Sequence, residues 1–326
     1  TGAPPSEWSD ATNTRQSENV AYVRGDDTVR VGLVGCGGRG TGAAVNSADA
    51  YEGVRITAMG DLFRDRLENS KENLRAEIGD QLTVTDETSF VGFDAYRQVL
   101  ETDVDYVILA TPPGFRPIHI RAALEADTHV FAEKPIAVDS AGVRSVIASG
   151  ELADEKGLGL VAGTQRRHDP RYIQTVQQIH DGAIGDVRAA QIIRSTGPLW
   201  LRERHPGMSD MEWQCRNWYY FTWLSGDHVV EMHIHSIDVI NWVLDAHPVR
   251  AEGVGGRQQR VDPSYGHIFD HLGIEFEYPD GQRVICMQRQ MEGSSSVWTE
   301  NVVGSEGSAD LMNHTIEGAT DWSFDE

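Results

Sequence analysis

From Thr28 the chain runs Thr28-Val29-Arg30-Val31-Gly32-Leu33-Val34, a short β-branched stretch that breaks into glycines, and Ala43 to Ala50 then favours helix. A second strand-like run, Val54 to Met59, ends at Gly60-Asp61 and is followed by helix-favouring residues from Leu62 to Ile78. The apolar run Asp105 to Ala110 reads as a buried strand halted by Thr111-Pro112-Pro113. Next come a helical stretch from Ile118 to Ala126, a strand from Thr128 to Ala132, a helix from Ser140 to Lys156 and a strand from Gly159 to Ala162. Strands alternating with helices of roughly 10 to 15 residues predict a parallel sheet of βαβ units, so residues 28–163 read as a doubly wound α/β domain.

After Gly163 the pattern changes. A helix is predicted over Arg171–His180, an amphipathic strand over Val187–Arg194, and one helix over Asp227–Leu244, with a Trp- and Arg-rich segment from Pro198 to Trp223 between them. Val249–Val254, Ile268–Tyr278, Arg283–Met291 and Val297–Val303 read as strands separated by turns such as Pro279-Asp280-Gly281. Strands in succession without helices between them predict an open, mainly antiparallel sheet. Residues 164–326 are therefore expected to form a second, α+β domain. Residues 1–27, rich in Ser, Thr, Asn, Asp and Pro without an apolar period, are expected to be an irregular lead-in.

Composition narrows the function. With 50 Asp and Glu against 28 Lys and Arg, the net charge of -22 repels phosphate backbones and argues against a nucleic-acid partner. No apolar run is long enough for a membrane span, so no membrane insertion is expected. Cys36, Cys215 and Cys286 are odd in number and widely spaced, which suggests neither a disulfide framework nor a cysteine-rich zinc site. Lys71, Lys134 and Lys156 are the only lysines, so each one poses the question of why arginine did not serve.

The chemistry begins at Gly35-Cys36-Gly37-Gly38-Arg39-Gly40, a GxGxxG between a hydrophobic strand and a helix. Here Gly35 permits the tight turn, Gly37 lets backbone approach a pyrophosphate, and Gly40 lets the helix pack on the strand. The N–H groups of Gly38 and Arg39 open the helix, where an anion is favoured. Asp61 closes the next strand about 20 residues on, where an acid accepts ribose hydroxyls and repels a 2′-phosphate. A dinucleotide is thus expected, NAD first, with NADP kept open by Arg64 and Arg66. On the predicted helix, Glu231, His235 and Asp238 share a face with His228. An imidazole such as His235 suits a general base. The same face leaves open a zinc reading through His228, Glu231 and His235, although no metal is the preferred expectation. Trp200, Arg202, Arg204, Asn217, Trp218 and Trp223 are residue types that bind sugars or pack as an aromatic core.

These motifs, with Ala110-Thr111-Pro112-Pro113, Glu133-Lys134-Pro135, Gly226-Asp227-His228 and His235-Ser236-Ile237-Asp238, occur in an order that resembles the Gfo/Idh/MocA oxidoreductases, over most of residues 28–310. The resemblance implies a Rossmann domain whose cofactor contacts are Gly35, Gly37, Gly38, Arg39, Gly40, Asp61, Thr111, Pro112, Pro113, Glu133 and Lys134. Lys134 would stand beside nicotinamide and the reacting hydroxyl, oriented by Glu133. His235 would be the base, oriented by Glu231 or Asp238. The substrate, a sugar, polyol or glycoside, would meet Arg166, Arg167, Trp200, Asn217, Trp218 and His228, although an ion-pair cluster is an equal reading for Gln165 to His168.

Two other activities stay open: a glycoside hydrolase working by transient oxidation and elimination, and a non-catalytic dinucleotide sensor. The resemblance also implies a homodimer or homotetramer through the sheet over Ile268–Val303. It makes export to the periplasm after removal of a twin-arginine signal the first expectation, with the cytoplasm second. Relatives often run several dozen residues past the equivalent of Glu326, so a short or truncated C-terminus is expected.

Overall fold

A computed structural model describes residues 27–319 and 321–325. Apart from Asp27, the expected lead-in lies outside the described residues. The first sheet contains β1 (Val29–Val34), β2 (Val54–Asp61), β3 (Ser89–Val91), β4 (Tyr106–Leu109), β5 (His129–Ala132) and β6 (Leu160–Ala162), in the order β3-β2-β1-β4-β5-β6. All its pairings are parallel. Helices α1 (Gly38–Ala50), α2 (Arg64–Ile78), α3 (Ala95–Leu100), α4 (Arg116–Glu125) and α5 (Ser140–Lys156) connect the strands.

Both faces of this sheet are covered, which is why β1 and β4 are apolar throughout rather than alternating. On one side Val31, Leu33, Ile56, Met59 and Ile108 pack with Ala44, Leu67 and Leu74; on the other Val34, Val107, Leu109 and Ala132 pack with Val99, Ile120 and Val146. This strand order reverses between β1 and β4, which opens a crevice at their C-terminal ends. The Gly35 turn and the Thr111-Pro112 turn both sit there.

The second half comprises α6 (Pro170–His180), β7 (Val187–Thr196), α7 (Asp210–Arg216), α8 (Thr222–Ser225), α9 (Asp227–Glu231), α10 (Ile234–Leu244), and seven further strands. Those strands are β8 (Arg250–Gly256), β9 (His271–Glu277), β10 (Arg283–Gln290), β11 (Val297–Gly304), β12 (Ser308–Asp310), β13 (Thr315–Glu317) and β14 (Trp322–Ser323). With β7 they form an eight-stranded sheet, β14-β13-β12-β11-β7-β10-β9-β8, antiparallel except where β10 runs parallel to β7. One face carries α6 and α10 through Tyr172, Val176, Ile179, Val239, Ile240 and Val243 on Ile192, Val284, Cys286 and Val302. The opposite face exposes Ile285 and Met287, as the alternation along β10 requires.

The single helix expected over Asp227–Leu244 is two. Met232 and His233 interrupt it, and the His233 N–H bonds the His228 carbonyl five residues back. The His233 ring is fully buried with Nδ1 3.0 Å from Cys286 Sγ on β10. Packing that polar ring under the helix turns Glu231 and His235 away from a shared i, i+4 spacing.

The glycine turn has no room for side chains: a Cβ at Gly40 would lie 1.9 Å from the Gly35 carbonyl oxygen. Gly40→Ala is therefore expected to lower stability by about 1–3 kcal/mol through overpacking, read as a drop in the urea midpoint, and to weaken dinucleotide binding. An unchanged midpoint would contradict the close approach.

Candidate active site

A cavity of about 360 Å³ lies over the switch point, within the size range of small-molecule sites. Gly35, Gly37, Gly38, Arg39, Gly40, Asp61, Thr111 and Pro112 line it, together with Phe63, Arg66, Tyr96 and His119. The turn fits a pyrophosphate: Gly35 has φ +96° and a Cβ there would strike the Ala110-Thr111 backbone at 2.6 Å. Pro113 is buried and does not line the cavity.

Asp61 is held in place rather than left free. Its Oδ2 accepts from the Cys36 N–H at 2.7 Å and its Oδ1 from the Phe63 N–H at 2.8 Å, so the carboxylate also braces the glycine turn. Burial raises its pKa, against which those two N–H bonds act.

The second half closes this cavity. Trp200, Arg202, Cys215 and Trp218 line it, with Trp200 tilted against Trp218 at 5.8 Å between centroids. The two tryptophans thus face the dinucleotide cavity. Asn217, expected to contact substrate, is fully buried and already satisfied: its Oδ1 accepts from the Arg202 N–H at 2.9 Å and its Nδ2 donates to the Ser264 carbonyl at 2.8 Å. Its amide fixes the segment carrying Trp200.

At the end of β5, Lys134 Nζ donates to the Glu231 carbonyl at 2.9 Å and to its Oε1 at 3.3 Å. Glu133, expected to orient Lys134, pairs instead with Arg39 at 2.8 Å, because its side chain points back to the start of α1. Burial raises the pKa of Glu231, opposed by Lys134 and Arg116. His235 is held to a pKa of about 3 by burial first and then by the positive charges of Lys134, Arg166 and Arg194. At neutral pH the imidazole is uncharged and can accept a proton, although only as a weak base until nearby positive charge is offset.

Other expected residues have different duties. Asp238 cannot orient His235: both its oxygens accept from Arg167 Nε at 3.0 Å, and Arg167 is consumed by the same pair. His228 is buried with Nε2 2.6 Å from Arg260, which occupies the ring that was expected to meet substrate. The break after α9 dismantles the zinc reading, and among the described residues no cluster of three or more His, Cys, Asp or Glu suits a metal. Arg166 is nine-tenths buried and paired with Glu300, whose shell Tyr172 and Ser236 complete.

Sequence reasoning missed Arg116, Arg194 and Glu300. Arg116 is buried, donates to the Thr111 and Pro135 carbonyls, and has its pKa lowered to about 10 by burial. Each lies on an ordinary helix or strand, and only long-range packing brings it to the site.

Comparison with known proteins agrees with this architecture. A family model described as an oxidoreductase family with an NAD-binding Rossmann fold matches residues 29–163, and a GFO/IDH/MocA C-terminal domain model matches residues 172–310. The inositol 2-dehydrogenase of Acidothermus cellulolyticus is 24% identical over 233 residues, 72% of this chain and 58% of that protein. The inositol 2-dehydrogenase of Salmonella paratyphi B is 27% identical over 220 residues, 67% of this chain and 55% of that protein. The chain thus spans little more than half the length of these curated relatives. Among solved structures, an oxidoreductase domain protein from Kribbella flavida has a TM-score of 0.71 at 19% identity, covering 91% of this chain and 79% of that one.

A folded pKa of about 3 for His235 against roughly 6.5 unfolded means that the unfolded chain binds the extra proton between those values. Stability is complete above about pH 6.5 and falls as pH drops below it. His235→Asn should flatten this dependence by about 1 kcal/mol per pH unit between about pH 6 and 4, measured by urea unfolding. Glu231 and Asp61, whose pKa values are raised, act in the opposite sense but are common to both proteins and largely cancel in the difference. Identical slopes would mean that the ring is not shielded from protonation.

Proposed function

The chain belongs to the Gfo/Idh/MocA oxidoreductase family, and from that membership we propose that it is an NAD-dependent dehydrogenase acting on a hydroxyl carbon of a sugar or polyol. The observation that carries this reading is Lys134 at the end of β5, held by Glu231 and close enough to act electrostatically on a neutral His235. The nicotinamide, when bound, supplies the hydride acceptor. The backbone N–H groups of Gly38 and Arg39 hold its phosphates, and Asp61 takes ribose hydroxyls and disfavours a 2′-phosphate, so NAD is preferred to NADP.

Glu231 keeps the Lys134 ammonium in one position through two hydrogen bonds. Lys134 stabilises negative charge on the substrate oxygen as its proton leaves, the kind of preorganised electrostatic contact that contributes most to catalysis. His235 accepts that proton. Its low basicity in the free protein is offset by the alkoxide that forms beside Lys134. Inositols belong in the substrate panel because the curated relatives carry that name.

The open face of the second sheet, with Ile285, Met287, Val254 and Val303 exposed, supports self-association into a dimer or tetramer through β8–β11.

Lys134→Met and His235→Asn should each lower kcat/KM by about 10²–10⁴, followed as NADH absorbance against a panel of inositols and sugars. Full activity in Lys134→Met would remove the assignment. Release of an aglycone at constant NADH would instead favour the glycoside hydrolase. For the assembly, Ile285→Asp with Met287→Asp should give monomers in sedimentation velocity; an unchanged sedimentation coefficient would rule this face out.

A further inference from the structure

Arg194 lies near the end of β7 on the helix-bearing face of the second sheet, level with Trp298 on β11 and with Gln288 on β10. Its guanidinium stands 4.0 Å above the Trp298 ring, and one terminal nitrogen reaches the Met232 carbonyl at 3.4 Å. Its Nε is buried without a partner. Among the described residues no carboxylate pairs with it, in a chain whose acids outnumber its bases 50 to 28.

Most of the nearby cations have partners. Lys134 is matched by Glu231, Arg166 by Glu300 and Arg39 by Glu133, while Arg116, whose Nε is also unpartnered, spends both terminal nitrogens on carbonyls. Arg194 is left as surplus positive charge beside His235, partly desolvated, a costly arrangement unless an anion completes it. A second observation lies next to it. Gln288 is 5% exposed and neither atom of its amide has a partner, and Glu231 Oε2 is likewise buried and unpartnered. The polar wall of the site is incomplete in the protein alone.

The missing anion is not the dinucleotide's pyrophosphate. That group belongs at the glycine turn, where Arg39, Arg66 and Arg202 line the cavity and neither Arg166 nor Arg194 does.

We propose that the substrate is an acidic sugar, a hexuronate or aldonate, whose carboxylate is received by Arg194 and Gln288, with the Arg194 guanidinium held in place over the Trp298 ring. This rests on the reading of Lys134 and His235 as a hydride-transfer site. A bound carboxylate would also offset one of the positive charges that make His235 a weak base, so that substrate arrival prepares the proton acceptor.

The test uses the NAD-loaded full chain with matched probes: D-glucuronate and D-glucose, D-galacturonate and D-galactose, D-gluconate and D-glucitol, with myo-inositol and glucose 6-phosphate as further arms. Binding is followed by calorimetry and turnover by NADH absorbance. At least one acid should exceed its neutral partner by about 30-fold in affinity or kcat/KM, the scale of one charge-assisted contact. About 0.5 M salt should shrink that ratio. Arg194→Gln should reduce it about tenfold or more, and Arg194→Lys should recover part of it. Equal or better use of the neutral probes, preference for the sugar phosphate, an acid-to-neutral ratio insensitive to Arg194, or no binding by any acid would overturn the proposal. An acid that binds through Arg194 without any NADH from any probe would instead sink the hydride-transfer reading and leave the carboxylate site standing.

Discussion

Lys134 reaches from the end of β5 to Glu231 at the end of α9, and that one contact ties the parallel sheet to the mixed sheet at the point where their chemistry meets. Its geometry depends on the interruption after Glu231. A continuous helix would place Glu231 and His235 one turn apart on one face. Instead the buried His233 ring, held against Cys286, ends α9 early, and the Glu231 carbonyl is freed to accept from Lys134 Nζ. A lysine does here what arginine would do poorly: a compact ammonium can meet a carbonyl and a carboxylate of one residue at a single point.

Charge is distributed with equal economy. The chain is strongly acidic, with 50 Asp and Glu against 28 Lys and Arg, yet Lys134, Arg166 and Arg194 all act on His235. Burial and these cations keep the imidazole neutral, which suits it to accept a proton but makes the product imidazolium unfavourable until negative charge arrives. On the reading proposed above, the same imbalance that restrains His235 in the free protein favours an anion in the complex. Glu300 prevents the cluster from being excessive: fully buried, it takes Arg166, Tyr172 and Ser236 and turns one arginine into scaffold.

Much of the first half was legible along the chain. Continuous apolar runs at Val29–Val34 and Tyr106–Leu109 mark strands buried on both faces, and α5 falls on Ser140–Lys156 as expected. Its Asp139 N-cap accepts from the Gly142 N–H, and Gly157 ends it in the left-handed region. Short pieces were not legible. Strand β3, helix α3 and strands β12 to β14 are too brief for a period to show, and sheet pairing alone makes β3 and β12 to β14 strands. The segment from Pro198 to Trp223 announced aromatic chemistry without saying where it points; it closes over the dinucleotide cavity because Asn217 pins it to the Ser264 carbonyl.

The sequence by itself determined the doubly wound half and the glycine turn with its acid at Asp61, because each is written in local spacing: apolar period, tight-turn glycines, a strand end. Only the tertiary structure decided who pairs with whom. Glu133 goes to Arg39 rather than Lys134, Asp238 to Arg167 rather than His235, and His228 to Arg260. It also decided that Arg194 pairs with no acid among the described residues. Ion pairs and desolvation depend on distance through space, and residues 32 to 94 positions apart reach one another only after the elements that carry them have packed.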